Sequence, residues 1–279
     1  SLEISNNLVV HTNLLVDDDV SFGSHLQVVG DVSMESSLEI SNNLLIHTNL
    51  LVDGDVSFGS HLQVVGDVSM ESSLEISNNL LVHNEVFVDK DASFGSHLQV
   101  VGDVSMESSL EISNNLLIHT NLFVDQDASF GSHLQVVGDV SMESSLEISN
   151  NLLIHTNLLV DGDAAFGSHL QVVGDVSMES SLEISNNLLV HTNLLVDDDV
   201  SFGSHLQVVG DVSMESSLEI SNNLLIHTNL LLDGDASFGS HLQVVGDVSM
   251  ESSLEISNNL LVHTNILIDG DASFGSHLQ

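Results

Sequence analysis

The chain repeats one 36-residue segment along its whole length, and this repetition constrains the fold more than any other feature. The phrase SLEISNN recurs every 36 residues, which gives seven full copies and part of an eighth. The copies start at Ser1, Ser37, Ser73, Ser109, Ser145, Ser181, Ser217 and Ser253. Repeats of this length are typical of arrays in which each unit packs only on its neighbours. We therefore predict a single continuous repeat array over residues 1–279.

Each copy divides into six hexapeptides that share one pattern. The first copy reads LEISNN, LVVHTN, LLVDDD, VSFGSH, LQVVGD and VSMESS between Leu2 and Ser37. Every hexapeptide has apolar residues at its first and third positions and ends in small or polar residues. Apolar residues two positions apart, followed by turn-forming residues, indicate short strands separated by tight corners. The sequence therefore predicts an all-β protein.

Six-residue units favour a triangular β-solenoid, also called a β-helix, in which each unit forms one side of a coil. Three sides make a coil of about 18 residues, so each 36-residue repeat contains two coils. Parallel strands of successive coils then lie about 4.8 Å apart. This register places residue n under residue n + 18, for example Leu2 under Val20 and Ile4 under Phe22. The prediction is a core of unbroken apolar columns.

Two other folds fit the same pattern. One is a meander of antiparallel hairpins that uses Asn-Asn, Asp-Gly and Gly-Asp as two-residue turns. That fold would leave a single sheet whose apolar face needs a partner. The other is a β-helix in which three chains intertwine. The sequence alone leaves both open.

Two segments show a family resemblance. LQVVGDVSM at Leu26–Met34 and LLVDGDVSF at Leu50–Phe58 resemble the repeats of bactofilin-type β-helices, which are polymerising cytoskeletal proteins with a triangular core. The Asn- and Ser-rich variant is also similar to long hexapeptide-repeat proteins encoded by marine microbes and large algal viruses. The resemblance implies a triangular β-helix and a tendency to polymerise. The chain departs from bactofilins in its lack of basic residues, so neither a location nor site residues are carried over.

The charge balance narrows the range of partners. The chain has 41 acidic residues and one basic residue, Lys90, for a net charge of −40, yet 42% of its residues are apolar. Neutralising phosphates requires many Lys and Arg side chains, so we expect no nucleic acid as a partner. Polar residues interrupt every apolar run, so we expect no insertion into a membrane. Divalent cations, Ca²⁺ or Mg²⁺, are the expected partners as bound counterions, and we expect no other cofactor.

Acidic residues at the corners are the candidate metal ligands. Asp17, Glu35 and Asp53 are 18 residues apart, which predicts one outward edge with a carboxylate in every coil. With Asp19 and Asp31 they could supply the oxygen ligands that hard cations prefer. The spacing matches neither an EF-hand nor the nonapeptide Ca²⁺ repeat. The competing interpretation is a solvated acidic surface that keeps molecules apart.

Histidine, serine and asparagine recur at the corners as well. The positions equivalent to His11 and His25 lack the spacing of a metal site, and we expect them to be exposed. Ser24 and His25 do not suggest a hydrolase, because adjacent side chains in an extended segment point apart and equal copies make no pocket. We therefore predict that the protein is not an enzyme. The Asn6-Asn7 pair fits a corner because Asn tolerates a left-handed backbone.

Outward apolar residues predict the function. Val9, Val29 and Leu15, repeated in every coil, would form a lengthwise apolar stripe larger than a monomer usually exposes. We predict a structural protein that associates with itself end to end and laterally into a filament or fibre. Its expected location is extracellular or on the surface of a cell or virion. The alternatives are a cation-dependent adhesin stalk and an ice- or mineral-binding rod.

Overall fold

The computed structural model describes residues 2–276, and their regular structure consists entirely of three-residue strands. Each strand covers the first three positions of a hexapeptide, and each corner covers the last three. In each of two compact units the strands wind into a β-solenoid with about 18 residues in each coil. Contacts divide the chain into two compact units, Ser1–Glu143 and Ser144–Gln279.

The first unit contains strands β1 to β24. In chain order they are β1 Leu2–Ile4, β2 Leu8–Val10, β3 Leu14–Val16, β4 Val20–Phe22, β5 Leu26–Val28, β6 Val32–Met34, β7 Leu38–Ile40, β8 Leu44–Ile46, β9 Leu50–Val52, β10 Val56–Phe58, β11 Leu62–Val64, β12 Val68–Met70, β13 Leu74–Ile76, β14 Leu80–Val82, β15 Val86–Val88, β16 Ala92–Phe94, β17 Leu98–Val100, β18 Val104–Met106, β19 Leu110–Ile112, β20 Leu116–Ile118, β21 Leu122–Val124, β22 Ala128–Phe130, β23 Leu134–Val136 and β24 Val140–Met142.

The second unit contains strands β25 to β46. In chain order they are β25 Leu146–Ile148, β26 Leu152–Ile154, β27 Leu158–Val160, β28 Ala164–Phe166, β29 Leu170–Val172, β30 Val176–Met178, β31 Leu182–Ile184, β32 Leu188–Val190, β33 Leu194–Val196, β34 Val200–Phe202, β35 Leu206–Val208, β36 Val212–Met214, β37 Leu218–Ile220, β38 Leu224–Ile226, β39 Leu230–Leu232, β40 Ala236–Phe238, β41 Leu242–Val244, β42 Val248–Met250, β43 Leu254–Ile256, β44 Leu260–Val262, β45 Ile266–Ile268 and β46 Ala272–Phe274.

Every third strand joins the same sheet, so each unit has three parallel sheets. In the first unit, sheet A runs from β1 through β4 and β7 to β22, sheet B from β2 to β23, and sheet C from β3 to β24. The second unit repeats this order from β25, β26 and β27. The pairing is parallel with residue n opposite residue n + 18, as in Leu2 with Val20. The predicted solenoid register is confirmed.

This pairing decides between the three folds. The antiparallel hairpin meander is wrong, because the strand pairs are parallel and join strands three apart in the sequence. A β-helix intertwined from three chains is also not what is observed, because the three sheets and all three corners of a coil come from one chain. Single-chain closure follows from the hexapeptide length, since three strands and three corners return the backbone to its own previous coil.

The core consists of the first and third residues of each strand. From Val20 to Leu260 these side chains are at most 3% exposed. Sheet A shows how the volume is balanced: the coil with Phe94 has the small residue Ala92 beside it, whereas the next coil pairs Ile112 with Leu110. Because a close-packed interior tolerates neither voids nor excess volume, large and small residues alternate between the two positions.

Three columns of corners connect the sheets. Corner 1 joins sheet A to sheet B, corner 2 joins sheet B to sheet C, and corner 3 joins sheet C to sheet A. In the first coil these corners are residues 5–7, 11–13 and 17–19, and each recurs every 18 residues. No described residue has a positive φ angle. The explanation of Asn6 and Asn7 by a left-handed backbone is therefore wrong. A different interaction accounts for asparagine at the corners, as the hydrogen bonds below show.

Candidate functional site

The outer surface is the candidate functional site, and its three faces differ in chemistry. The middle residue of each strand points outward, and we name faces A, B and C after the sheets that carry them. Face A alternates Glu with Ser, except at Ala165, and face B alternates Leu with Gln, except at Val9. Face C alternates Leu or Phe with Ser. Examples in successive coils are Glu39, Ser57 and Glu75 on face A, Leu45, Gln63 and Leu81 on face B, and Leu51, Ser69 and Phe87 on face C.

Acidic side chains are concentrated at corner 3, whereas face A and corner 2 each carry about one for every two coils. Glu39 and Glu75 are exposed on face A, where shallow grooves lined by serine separate successive glutamates. Asp17, Glu35 and Asp53 occupy the first position of corner 3 in three successive coils and are exposed, which confirms the predicted outward edge. Faces B and C carry no charged side chain at their described mid-strand positions. The solenoid surface is therefore polarised around its axis.

Side chains at the third corner position bind the backbone of the next coil. At corner 2, Asn13 Oδ1 accepts the backbone N–H of Asp31 at 2.9 Å, and Asp31 Oδ1 accepts that of Asn49 at 3.2 Å. At corner 1, Asn43 Oδ1 accepts the N–H of His61 at 3.3 Å. We call this bond, from residue n + 18 to the side-chain oxygen of residue n, a corner clip. It satisfies a backbone donor that the strand ladders leave without a partner.

Corner 3 has the most extensive clips. Asp55 Oδ1 accepts the Ser73 backbone N–H at 3.2 Å and the Ser72 hydroxyl at 2.5 Å. The same arrangement recurs at Asp19, where the bond from the Ser36 hydroxyl is very short. Four further copies are centred on Asp91, Asp163, Asp199 and Asp235. These aspartates are therefore structural acceptors as well as surface charges.

The clips make successive coil junctions unequal. We call the coils that begin LEI odd and those that begin VSF, ASF or AAF even. The odd coil 38–55 is clipped to the next even coil at all three corners, and the Gly66 N–H also donates to the Thr48 carbonyl at 3.0 Å.

From the even coil 20–37 to the odd coil 38–55, Asp31 forms a clip at corner 2. His25 and Ser37, at the other two corners, accept no backbone N–H from the next coil in the part of the chain that the structure describes. At corner 1 of this junction Asn42 Nδ2 donates instead to the Gly23 carbonyl at 3.3 Å. The odd-to-even junction therefore has more clips than the even-to-odd junction. This difference recurs every two coils and gives a physical reason for a 36-residue repeat.

The clips lower the pKa of the corner aspartates. At Asp55 the Ser72 hydroxyl is the main cause, followed by the Ser73 backbone N–H, because both donate to the carboxylate and favour its charged form. The pKa of Asp91 is lowered in the same way by Ser108 and Ser109. A lowered pKa in the folded state means that the clip stabilises the fold above the ordinary carboxyl pKa, about 3.9 for Asp. That contribution is lost as the pH falls through the lowered value.

Acid is therefore expected to loosen corner 3. Below about pH 4 the corner aspartates take up protons on unfolding, so the midpoint of thermal unfolding falls as the pH decreases. Circular dichroism melts between neutral pH and about pH 3 measure this slope. Neutralisation also reduces the self-repulsion of a chain with net charge −40, which acts in the opposite direction.

An asparagine variant separates these two effects. Changing Asp19, Asp55, Asp91, Asp163, Asp199 and Asp235 to Asn keeps the acceptor oxygen and removes the titration. Asn13 and Asn43 already show that an amide oxygen forms the clip. For each protein, the drop in the midpoint of thermal unfolding is measured from neutral pH to acid. We expect this drop to be smaller for the variant than for the wild-type chain. Equal losses in the two proteins would contradict the clip as the acid-sensitive element.

The predicted metal ligands lie at different corners. Asp17, Asp19, Glu35 and Asp53 belong to corner 3, whereas Asp31 belongs to corner 2 and forms clips in both directions. Asp19 is likewise occupied by Ser36 and Ser37. Over residues 2–276, no group of three or more His, Asp or Glu side chains is placed to hold a metal ion. Ca²⁺ or Mg²⁺ as a counterion stays a prediction.

The serine–histidine pairs differ from the expectation. Ser24 Oγ and His25 Nδ1 are 3.2 Å apart, and the corresponding atoms of Ser168 and His169 are 2.7 Å apart. The expectation that these adjacent side chains point away from each other is wrong, because they occupy a corner rather than an extended segment. The histidines are exposed on this convex edge, so the pair is not enclosed around a substrate. His11 and its equivalents are exposed at corner 2.

The apolar stripe also differs in detail from the expectation. Val9, Val29 and Leu15 do not recur in every coil, because each column alternates with Gln on face B, His at corner 2 and Ser on face C. The apolar residues are therefore staggered around corner 2, opposite face A. Face C and corner 2 expose the most: Leu51 and Val65 are each 42% exposed. The sequence indicates this alternation at the 36-residue period. The hexapeptide template does not, because it treats all outward positions as equivalent.

The described residues contain no helix long and apolar enough to cross a membrane. Comparison with known proteins gives no further assignment. The sequence matches no protein-family model, and searches of curated proteins and of solved structures find no match.

Proposed function

We propose that this chain is structural material that associates with copies of itself, side by side and end to end, into a filament or fibre. The observation that carries the proposal is the column of exposed apolar side chains on face C and corner 2. Leu51, Phe87 and Val65 expose 39–42% of their surface at positions where a monomer gains nothing from an apolar residue. An extracellular location, or one on the surface of a cell or virion, is part of the proposal.

End-to-end association is supported by the likeness of the coils. Leu2 pairs with Val20, and Val20 pairs with Leu38, in the same parallel register. Because successive coils share this register, a coil of a second copy could stack on a coil of this chain through the same parallel pairing.

A structural role is also more consistent with the repetition than catalysis. Every candidate side chain, such as Ser24 with His25, recurs once per repeat in an equivalent setting. Catalytic sites instead gather several different groups around one concave pocket. We therefore propose no enzymatic activity for the chain.

The net charge makes the expected assembly depend on salt. Two copies with a charge of −40 each repel one another at low ionic strength. Screening shortens the range of this repulsion from about 30 Å at 0.01 M salt to about 3 Å at 1 M. Light scattering and electron microscopy are therefore expected to show growing particles as NaCl is added. Particles that stay at the monomer mass of 29.8 kDa at every salt concentration would overturn the proposal.

The alternative function, a cation-dependent adhesin stalk or an ice- or mineral-binding rod, is favoured by the glutamate rows on face A. A chelator distinguishes it from the fibre proposal. Assembly in NaCl is expected to persist in EDTA, because sodium supplies the screening. If EDTA dissolves the particles at high NaCl, specific cation bridges replace apolar contact as the cause.

A further inference from the structure

Face C has regularly spaced projections and gaps. Leu51 and Phe87 project from coils two apart, and Ser69 lies between them in the same column. Coils spaced about 4.8 Å apart place these projections roughly 9.6 Å from each other. The gap over Ser33, between Leu15 and Leu51, is a groove whose floor includes the serine. Projections about 9.6 Å apart leave room between them for about one side chain.

Face B lacks such gaps. Its column alternates Leu45 with Gln63, so a long side chain occupies each position between the leucines. Leu45 is also less exposed than Leu51, which is 42% exposed. Faces B and C carry apolar residues in the same coils. The two faces differ in the residue of the intervening coil, which is Gln on face B and Ser on face C.

We propose that face C binds face C of a second copy of this chain, shifted by one coil so that Leu and Phe of each copy enter the gaps over Ser of the other. This inference rests on the proposed function and specifies its lateral contact. Only a surface with the same two-coil period stays in step with these gaps along many coils, and a second copy has that period. Interdigitated side chains between facing sheets exclude water as in a steric zipper.

The available area is sufficient for a stable contact. The accessible surface is 11959 Å² and is shared among three faces, three corner columns and two units. An equal share for one face of one unit is roughly 1,000 Å², above the approximately 800 Å² per partner of a standard interface. The acidic column at corner 3, which includes Glu35 and Asp53, borders face C. Pairing through this face therefore requires the same screening by salt as the whole assembly.

Matched substitutions in the full chain test the proposal. The face-C variant carries Leu51→Ser, Phe87→Ser and Phe123→Ser, and the face-B control carries Leu45→Gln, Leu81→Gln and Leu117→Gln. Each change introduces the residue that already alternates in that column, so both variants are expected to fold. Sedimentation at high NaCl is expected to show lateral association weakened by at least about 100-fold on face C and by less than about threefold on face B.

A second variant tests the gaps themselves. Ser33→Gln, Ser69→Gln and Ser105→Gln fill them while every apolar side chain is kept. Lateral association is expected to fall as in the face-C variant, although no apolar group has been removed. The opposite changes on face B, Gln27→Ser, Gln63→Ser and Gln99→Ser, open gaps between its apolar side chains and are therefore expected to maintain or strengthen association rather than weaken it.

The outcomes separate this inference from the proposed function. If the wild-type chain forms fibres and either set of face-C changes leaves them unaltered, interdigitation through face C is wrong and the fibre proposal stands. Equal loss in the face-B and face-C variants would also overturn the assignment of the face. A wild-type chain that stays monomeric at every salt concentration would overturn both the fibre proposal and the pairing of face C with face C.

Discussion

Replacing Phe94 with alanine is expected to lower the local free energy of unfolding by about 3–5 kcal/mol, the usual cost of truncating a buried phenylalanine. Phe94 is 0% exposed and lies between Ile76 and Ile112 in the adjacent coils. The ladders on both sides hold the backbone, so the cavity cannot collapse fully. Hydrogen exchange followed by mass spectrometry is the appropriate measurement, because long repeat arrays need not unfold in one step.

The expected pattern of exchange is local. Each coil contacts mainly its neighbours, so strands β13, β16 and β19 should exchange faster while distant strands of the same unit keep their protection. Ala92→Val is the matched control, since Val56 stands beside Phe58 in an equivalent coil. It is expected to change stability by less than about 1.5 kcal/mol. A loss below about 1 kcal/mol for Phe94→Ala would show that the column is not closely packed.

The core was predictable from sequence because its determinants are local and periodic. Apolar residues at the first and third positions define strands, and six-residue units favour a three-sided coil that stacks by 18. The structure confirms this at Leu2 with Val20 and at Ile4 with Phe22. The two-residue turn signals in the sequence also fit antiparallel hairpins. The parallel pairing in the structure excludes that fold.

The corner clips could not be predicted in the same way. An asparagine at a corner fits a left-handed turn as well as a side-chain acceptor, and only the geometry decides between them. Asn13 accepts from Asp31, and no described residue has a positive φ. The contact between Ser24 and His25 was missed for a similar reason, because the corner bends two side chains together that an extended chain would separate.

The gaps on face C were present in the sequence but were not recognised. A common template for six hexapeptides treats Leu51 and Ser69 as equivalent outward positions. The alternation with a period of 36 residues distinguishes them, and only the stacked column shows that a small residue lies between two large ones. To find functional surface features in a solenoid, the outward residues of each column are therefore compared at the 36-residue period rather than at the hexapeptide period.

Replacing Gly66 with alanine is expected to destabilise the odd-to-even junction by about 1–3 kcal/mol, the usual cost of overpacking. A Cβ atom at Gly66 would lie 2.7 Å from the Thr48 carbonyl carbon and would also overlap Asn49 Oδ1. Both groups take part in bonds that join the coils, since the Thr48 carbonyl oxygen accepts the Gly66 N–H and Asn49 Oδ1 accepts the Asp67 N–H. Faster hydrogen exchange at corner 2 of these two coils is the expected observation.

Gly54→Gln is the control. It introduces a similar steric overlap at the other kind of junction, and so separates the effect of the junction from that of the overlap. A Cβ atom at Gly54 would lie 2.6 Å from the Ser37 backbone nitrogen, a similar overlap. Yet Lys90 and Gln126 occupy the equivalent position in other repeats. Gly54 faces an even-to-odd junction, where fewer clips hold the corner and the backbone can yield. We therefore expect Gly54→Gln to change local stability by less than about 0.5 kcal/mol. Equal losses at both glycines would mean that the two kinds of junction are mechanically the same.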